Sequence, residues 1–330
     1  MNFFQFTRIV IQLSLRILYQ KKYNKRQLLP LLDKMQLAFG QQLPLAQLKK
    51  VTHYYCLLLP PVICENFTRI AGRKFTEGER YKAVLMGIIA PIFDDFFDDK
   101  NLTNEGIRQI TLHPDTYPVK NISEYVFQQC HGQLLNTVNF PAAYGEMVNK
   151  IMGAQFDSQK QFDPAITDKE LTRITFEKGT YSFLIFHSIL DHQPGEAMKE
   201  LIRQLSGLLQ LANDIFDIYK DLRSGITTLP NRTTDFKQFR KYFIKESIRF
   251  NTMAHALPSP KNKIIPFIVA IQLVISRGLV ALDQLERLTN KYALPIQLNS
   301  IPRKELVCDM ELWGNRLNWM KYAYRMSKTK

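Results

Sequence analysis

Four aspartates within six residues are the feature of this sequence with the clearest capacity for chemistry. Asp94, Asp95, Asp98 and Asp99 follow an apolar run from Ala83 to Phe93. On a helix, residues four apart are neighbours, so Asp94 lies beside Asp98 and Asp95 beside Asp99. Like charges at that spacing repel one another unless a cation bridges them. Oxygen ligands suit Mg²⁺, which completes its shell with water and phosphate oxygens; the alternative is a solvated helix end.

A second polar series lies on a segment that is otherwise apolar. Asn213, Asp217 and Asp221 are spaced four and four, among residues such as Leu211 and Ile218. Each step of four residues rotates by ~400°, so these side chains drift by ~40° per step and stay on one face of a helix. Polar groups in an apolar helix need a partner. We expect this face to be a second metal site.

Together, the two series resemble the metal-binding motifs of class I isoprenoid synthases. Residues 94–99 are similar to the aspartate-rich DDxxD motif of that superfamily. Asn213, Asp217 and Asp221 are similar to the NSE-type motif of terpene synthases, although Asp217 replaces the usual Ser or Thr and Asp221 the usual Glu. The resemblance covers roughly residues 77–235. It implies an all-α fold, a single large helical bundle of the class I terpenoid synthase type, with the motifs facing each other across an apolar hollow.

The resemblance also implies a cofactor, a substrate and catalytic groups. The cofactor is Mg²⁺, three ions with diphosphate bound, and the substrate is an isoprenoid diphosphate. The segment from Lys178 to Phe183 is similar to the lysine-containing helix of chain-elongating prenyl diphosphate synthases, in which the lysine holds the diphosphate. Asp94, Asp95, Asp98 and Lys178 are therefore the catalytic candidates. The alternative for Lys178 is a surface lysine.

Further substrate contacts are expected from arginine and aromatic side chains. Guanidinium groups form strong, directional bonds to phosphate, and aromatic rings attract a carbocation. Each aromatic candidate also fits an ordinary core position, and Gln155 lies in a segment only faintly similar to the GQxxD segment of the elongating enzymes. The substrate-binding candidates besides Lys178 are Arg173, Gln155, Phe93, Phe97, Phe183, Phe216, Arg316 and Tyr322.

The reaction implied is ionisation of an isoprenoid diphosphate, with loss of diphosphate and cyclisation or rearrangement of the carbocation, as in a terpene synthase acting as a lyase. Two transferase alternatives stay open. The segment from Gln210 to Pro230 also resembles the head-to-head squalene and phytoene synthases. Chain elongation ranks third, because the arginine pair expected after the first motif is absent from Lys100 to Ile110. The non-enzymatic alternative is a helical scaffold that binds metal structurally.

The elements that must position these residues are predicted to be helices. Apolar residues recur at intervals of three and four, without sustained alternation. Thr167 and Glu170 form a capping-box pattern, which predicts a helix from about Asp168 to Leu190. Pro91 is expected to kink the helix that leads to Asp94. No linker or repeat marks a boundary, so we expect residues 1–60 to form N-terminal helices packed on or flanking a single helical core of residues 61–330.

Composition restricts the partners of the chain. With 330 residues, 45% of them hydrophobic, the chain can bury a large core. The net charge of +14 favours anionic partners such as diphosphates and lipid head groups. Nucleic acid is not expected, because the chain lacks zinc-ligand spacing and an aromatic RNA-binding signature. A homodimer is left open.

Location is predicted from cysteine usage and from apolar segments. The four cysteines lack CxxC spacing, and we expect reduced, buried thiols in a cytoplasmic protein. The apolar run from Ile264 to Ile275 is too short to span a bilayer, and Arg8 and Arg16 interrupt an N-terminus that does not resemble a signal peptide. Residues 1–25 form a basic amphipathic helix, which either packs on the body of the protein or makes peripheral contact with a membrane.

Overall fold

Helices account for all the regular structure in the computed structural model, which describes residues 1–98, 102–233, 235–292 and 297–329. No strand occurs within these ranges, so the predicted all-α class is confirmed. The chain divides into two compact units. Unit 1 comprises Met1–Ile9, Phe156–Phe183 and Gly195–Lys330, and unit 2 comprises Val10–Gln155 and Leu184–Pro194. The predicted boundary after residue 60 falls inside unit 2, and that division stays a prediction.

Sixteen α-helices and five shorter helical turns lie within the described ranges. The α-helices are α1 Phe3–Arg26, α2 Leu28–Phe39, α3 Leu45–Lys49, α4 Cys56–Leu59, α5 Glu65–Ile70, α6 Glu77–Asp98, α7 Asn104–Leu112, α8 Ile122–Thr137, α9 Pro141–Ser158, α10 Asp168–Ser188, α11 Glu196–Ser224, α12 Leu229–Arg232, α13 Phe236–His255, α14 Lys261–Lys291, α15 Arg303–Leu306 and α16 Trp313–Met326. Two π-helical turns span Lys50–Tyr55 and Pro60–Cys64, and three 3-10 turns span Pro114–Thr116, Gln159–Phe162 and Leu298–Ser300.

In unit 2, α6 packs against α8 and α4 and positions the first aspartates. Gly87 allows its close approach to α4, because a Cβ at this position would lie 2.8 Å from the Sγ atom of Cys56. The helix continues through Pro91, whose ring nitrogen cannot donate a helical hydrogen bond. Asp94 and Asp95 therefore stay on the same helix as the buried apolar residues that precede them.

The segment that faces α6 within unit 2 is helical but irregular. From Leu45 to Ile70, the α-helices α3, α4 and α5 alternate with the two π-helical turns without interruption. Each π turn widens the hydrogen-bonded ring, and such turns are frequent at functional sites. The first one begins at Lys50 and ends at Tyr55, two residues whose side chains contact the aspartates of α6.

In unit 1, α11 packs against α12, α13 and α14 and closely approaches α10. A Cβ at Gly179 on α10 would lie 2.7 Å from the backbone oxygen of Ser206 on α11. A Cβ at Gly207 would lie 2.2 Å from the ring of Phe176. The two glycines thus permit a close approach of the helices, at backbone for Gly179 and at the Phe176 ring for Gly207, that any larger residue would obstruct.

The predicted start of α10 is confirmed, and its end is close to the prediction. Thr167 Oγ1 accepts a hydrogen bond from the backbone N–H of Glu170 at 3.2 Å, and the helix runs to Ser188, two residues short of Leu190. The end of α11 is set by Gly225, whose φ of 68° is left-handed and whose N–H bonds the Asp221 and Leu222 carbonyls. Asp221 therefore lies in the last turn of α11.

The cysteines and the apolar helices bear on two expectations about location. All four cysteines are buried and free, as predicted. Among the described residues, one helix, Lys261–Thr289, has the length and composition to cross a membrane, and 78% of its most apolar window is buried inside the protein. The prediction of no transmembrane helix relied on the short run from Ile264 to Ile275, and α14 is much longer than that run. Its burial is typical of a core helix.

Candidate functional site

The polar face of α11 is formed by Asp214, Asp217 and Asp221, which we call the α11 acidic face. Asp214 and Asp221 are buried, with 5% and 7% of their surfaces exposed. They are seven residues apart, nearly two full helical turns, so they point in almost the same direction. Asp217 lies between them and is exposed, as is Asn213. Of the predicted series, Asp217 and Asp221 thus lie on this face, whereas Asn213 lies at its edge.

Asp214 carries a carboxylate oxygen without a partner. Its Oδ1 atom accepts a hydrogen bond from Gln210 Nε2 at 2.7 Å. Its Oδ2 atom is buried and has no hydrogen-bond partner among the described residues. Burial raises the pKa of Asp214 to about 7, although the Gln210 hydrogen bond and the charge of Lys178 act in the opposite direction. A buried acceptor without a donor is costly, so this oxygen indicates a site for a cation or a donor.

The other two carboxylates of the α11 acidic face, Asp217 and Asp221, also have too little positive charge near them to stabilise their ionised forms. Burial, followed by the charges of Asp214 and Asp217, raises the pKa of Asp221 to about 7. Burial likewise raises the pKa of Asp217, while Lys220 lowers it. The three groups spread over two helical turns and repel one another. A divalent cation with its waters would relieve that repulsion.

Lys178 places a cation near this face. Its side chain is half-buried on α10, and its charge lowers the pKa values of Asp214 and Asp221. The ammonium makes no hydrogen bond or ion pair with the described part of the chain. The close packing at Gly179 holds α10 against α11 and so determines where Lys178 lies. Lys178 thus carries a positive charge near Asp214 and Asp221 without a direct bond to either carboxylate among the described residues. An ammonium in this position can bind an anion such as a phosphate group.

The fit of this site to Mg²⁺ is partial but chemically consistent. Within the described ranges, no group of three or more His, Cys, Asp or Glu side chains is arranged to hold a metal ion. Mg²⁺ is commonly held by one or two carboxylates together with waters and substrate phosphates, not by a complete protein cage. The unpartnered oxygen of Asp214 and the exposed carboxylate of Asp217 fit that kind of coordination.

The first aspartate cluster, Asp94, Asp95, Asp98 and Asp99, lies in unit 2 and has different surroundings. Gln155 Nε2 donates to Asp94 Oδ1 at 2.5 Å, and the Tyr55 hydroxyl donates to Asp94 Oδ2 at 3.3 Å. Asp98 is exposed, and Asp99 lies outside the described residues. The expectation that this cluster faces the series Asn213, Asp217 and Asp221 across an apolar hollow stays a prediction.

Asp95 is bound by a cation of the protein itself. The Lys50 ammonium donates to its Oδ1 atom at 2.5 Å, and Gln47 Nε2 donates to Oδ2 at 3.0 Å. Ser123 in turn donates to Gln47 at 2.7 Å. Partial burial acts to lower the pKa of Lys50, but the bond to Asp95 and the charges of Asp94 and Asp98 raise it. Lys50 thus supplies the positive charge that the structure shows bonded to Asp95.

The remaining basic and polar candidates have protein partners. Arg173 donates to Asp157 at 2.8 Å and to both oxygens of Glu170 at 2.7 and 2.9 Å, and it also pairs with Glu177. A diphosphate contact there would have to replace these ion pairs. Tyr322 donates to Asp283 at 2.9 Å.

The last basic candidate, Arg316, lies 5.8 Å from the ring of Trp313. Neither Arg316 nor Tyr322 is linked by a described hydrogen bond to Lys178 or to the α11 acidic face.

The aromatic candidates divide into core and partly exposed residues. Phe93 and Phe97 are buried, their ring centroids 5.3 Å apart, and Phe93 stacks on Phe127 at 5.9 Å. They are core residues of unit 2. Phe183 and Phe216 are half-buried in unit 1, and the guanidinium of Arg277 lies 5.8 Å from the ring of Phe216. Only half-buried rings leave a surface that a ligand can contact.

Sequence reasoning did not select Asp214, Lys50, Gln47 or Tyr55. Asp214 was detectable, since it follows Gln210 by four residues and precedes Asp221 by seven, the spacing of a single helix face. The other three lie more than 38 residues before the aspartates, and nothing in their local pattern indicates chemistry.

A shallow pocket in unit 2, lined by Tyr19, Lys22, Tyr23, Arg26, Gln27 and Glu77, contains none of the predicted site residues.

No protein-family model, no curated protein and no solved structure matches the chain.

Proposed function

We propose that this protein is a magnesium-dependent enzyme that ionises an isoprenoid diphosphate, with the α11 acidic face and Lys178 forming the diphosphate site. The observation that carries the proposal is the pairing of two unsatisfied groups in unit 1. Among the described residues, the buried Oδ2 atom of Asp214 has no hydrogen-bond partner, and the half-buried side chain of Lys178 has no hydrogen bond or ion pair. A magnesium diphosphate would satisfy both at once, because its cation suits the carboxylate and its oxygens suit the ammonium.

The residues of the chain would act mainly by position and charge. Lys178 would donate to the diphosphate oxygens and stabilise the negative charge that develops as the bond to the leaving group breaks. Bound Mg²⁺ would supply further neutralisation of that charge. Because Asp214 and Asp221 are buried, their charges act through a medium less polarisable than water, which strengthens their effect. Phe183 and Phe216 are two of the partly exposed rings of unit 1, and they would be available to shield a carbocation.

The first aspartate cluster would bind further Mg²⁺ in exchange for Lys50. Asp94, Asp95 and Asp98 already surround a cation, so the cluster has the charge that a divalent ion requires. The ammonium reaches Asp95 from a partly exposed side chain, and it could therefore withdraw into solvent when a metal ion takes its place at the buried carboxylate of Asp95. Three bound ions in total is the number that the family resemblance implies.

Cyclisation or rearrangement of a single substrate is the reaction we propose, with head-to-head condensation as the second candidate. One observation favours the second candidate. Gln210, part of the pattern that resembles squalene and phytoene synthases, donates directly to Asp214 and orients it. Both reactions begin with the same ionisation, so they differ in product and not in the first step.

Product analysis tests the proposal. Purified protein is incubated with geranyl, farnesyl, geranylgeranyl and longer prenyl diphosphates, with and without Mg²⁺, and extracts are analysed by mass spectrometry. We expect hydrocarbon or alcohol products only with Mg²⁺. Asp214→Asn and Lys178→Gln should each lower turnover by ~100-fold or more, whereas Lys169→Gln, an exposed lysine on the same helix, should not. Binding of Mg²⁺ without any product would favour the structural scaffold instead.

A further inference from the structure

One face of α1 is apolar and uncovered. Ile11, Leu15 and Leu18 are 55%, 59% and 54% exposed, and their positions on a helix fall within a sector of ~60°. We call them the α1 apolar face. The opposite side of the same helix contributes Leu13 and Gln20 to the buried interior. The helix is thus already packed on one side, and its second apolar stripe is left uncovered by the residues that the structure describes.

The charges of α1 are all of one sign. Lys21, Lys22, Lys25 and Arg26 are exposed in its last two turns, and Arg8 is exposed near its start. No acidic residue occurs between Phe3 and Arg26. An exposed apolar stripe on a helix with only basic residues is the composition of helices that lie in the interface of an anionic bilayer.

We propose that α1 binds the surface of an anionic lipid bilayer, with Ile11, Leu15 and Leu18 inserted at the boundary of head groups and acyl chains. The basic residues of its last turns contact lipid phosphates. A second copy of the chain fits this face less well, because two α1 helices packed together would bring only positive charges into proximity. A bilayer supplies both the apolar layer and the negative charge that the face lacks.

Vesicle cosedimentation tests this inference. The full chain is mixed with vesicles of phosphatidylcholine alone or of phosphatidylcholine with phosphatidylserine, and the bound fraction is measured at low and high salt. We expect at least ~10-fold tighter binding to the vesicles that contain phosphatidylserine, and weaker binding at high salt. The combined variant Ile11→Ser, Leu15→Ser, Leu18→Ser and the charge variant Lys22→Glu, Lys25→Glu should each reduce binding by ~10-fold or more.

Matched controls distinguish binding through the α1 apolar face from nonspecific binding to the vesicles. Leu37→Ser removes an apolar side chain that is 85% exposed on α2, and Lys241→Glu with Lys245→Glu reverses two exposed charges on α13. Both controls should bind within ~2-fold of the unaltered protein, and all variants replace exposed residues, so their melting temperatures should not change. Equal binding by the triple variant, or a vesicle-independent dimer that the triple variant abolishes, would overturn the proposal.

Discussion

Burying a carboxylate with one oxygen left without a donor opposes folding, and Asp214 is buried in this way. A raised pKa in an acid means that the folded state binds protons more tightly than the unfolded state. The contribution of Asp214 to stability is therefore full below its ordinary pKa of 3.8 and declines as pH rises toward about 7. Such a cost is retained in a protein when the group has a function that a neutral residue cannot supply.

Replacing Asp214 with Asn should stabilise the metal-free protein while it damages the site. At about pH 8, without Mg²⁺, we expect Asp214→Asn to raise the free energy of unfolding by about 1–3 kcal/mol, because no charge has to be buried. Near pH 4 the gain should vanish. Urea denaturation at both pH values measures it. Asp33→Asn, at an exposed position on α2 away from the site, is the control and should change stability much less; a destabilised Asp214→Asn protein at high pH would contradict the account.

Lys50 offers a second test at the scale of single residues. Lys50→Met removes the cation from Asp95, so we expect a loss of about 1 kcal/mol in stability without Mg²⁺. Mg²⁺ should restore part of that loss and should bind more tightly than to the unaltered protein, because no ammonium competes for the carboxylate. Thermal melts over a Mg²⁺ titration measure both effects. Lys49→Met, at an exposed position without an ion pair, is the control, and identical Mg²⁺ responses in the two variants would refute competition.

The residues of the site were only partly predictable from the sequence. Carboxylates in a four-residue series were recognisable, because helical periodicity determines which side chains share a face. Burial was not recognisable, because it depends on which neighbours cover that face. Asn213 was therefore selected although it is exposed, and Asp214 was passed over although it is buried. The contact of Lys50 with Asp95 joins residues 45 positions apart and leaves no local signal.

At the scale of elements, the pairing of α10 with α11 determines the position of Lys178. The helix backbones meet at Gly179, where a side chain would collide with the backbone of Ser206. Backbone cannot move aside as a flexible side chain can, so the two helices would have to separate. A small separation at this point would also move Lys178 away from Asp214.

Gly179→Ala should therefore impair both stability and activity. We expect a loss of about 1–3 kcal/mol in the free energy of unfolding from overpacking, together with weaker binding of diphosphate. Gly153→Ala is a matched control, since Gly153 is also helical but has open space around its Cβ position. The control should gain about 0.5–1 kcal/mol from the higher helix propensity of alanine. Equal stabilities for the two variants, measured by urea denaturation, would show that the helices do not meet at Gly179.

The start of a helix was easier to predict from the sequence than a departure from regular α-helical geometry. The Thr167 capping pattern placed the start of α10 correctly because the signal is local. The π-helical turns at Lys50–Tyr55 and Pro60–Cys64 were not anticipated. Pro60 and Pro61 lie inside a continuous helical segment, although proline is disfavoured in the interior of a helix. Periodicity alone does not distinguish a π turn from an α turn.

At the scale of the whole molecule, the division into two units was not predicted. Each unit combines segments from distant parts of the sequence, and no change in composition marks where the chain passes from one unit to the other.

Within unit 2, His187 packs on Phe67 and His192, with ring centroids 5.5 and 4.7 Å apart. Burial, followed by the charge of His192, lowers the pKa of His187 to about 3.

Acid should therefore destabilise unit 2 through His187. In the unfolded chain the imidazole takes up a proton below its ordinary pKa of 6.5, whereas in the folded protein it stays neutral down to about pH 3. Stability should thus fall as pH falls through this window, by about 1 kcal/mol between about pH 7.5 and 5.5 from this group alone. His187→Phe should show a shallower pH dependence in denaturation curves, whereas His53→Phe at an exposed position should not. Parallel curves for His187→Phe and the unaltered protein would contradict this assignment.

The central claim concerns Asp214 and Lys178 acting together on a magnesium diphosphate, and calorimetric titration of inorganic diphosphate tests it most directly. We predict binding that requires Mg²⁺, is abolished by chelation, is weakened by ~10-fold or more in Asp214→Asn and in Lys178→Gln, and is unchanged in Lys169→Gln. Equal affinity in all four proteins, or binding that does not depend on Mg²⁺, would contradict the account.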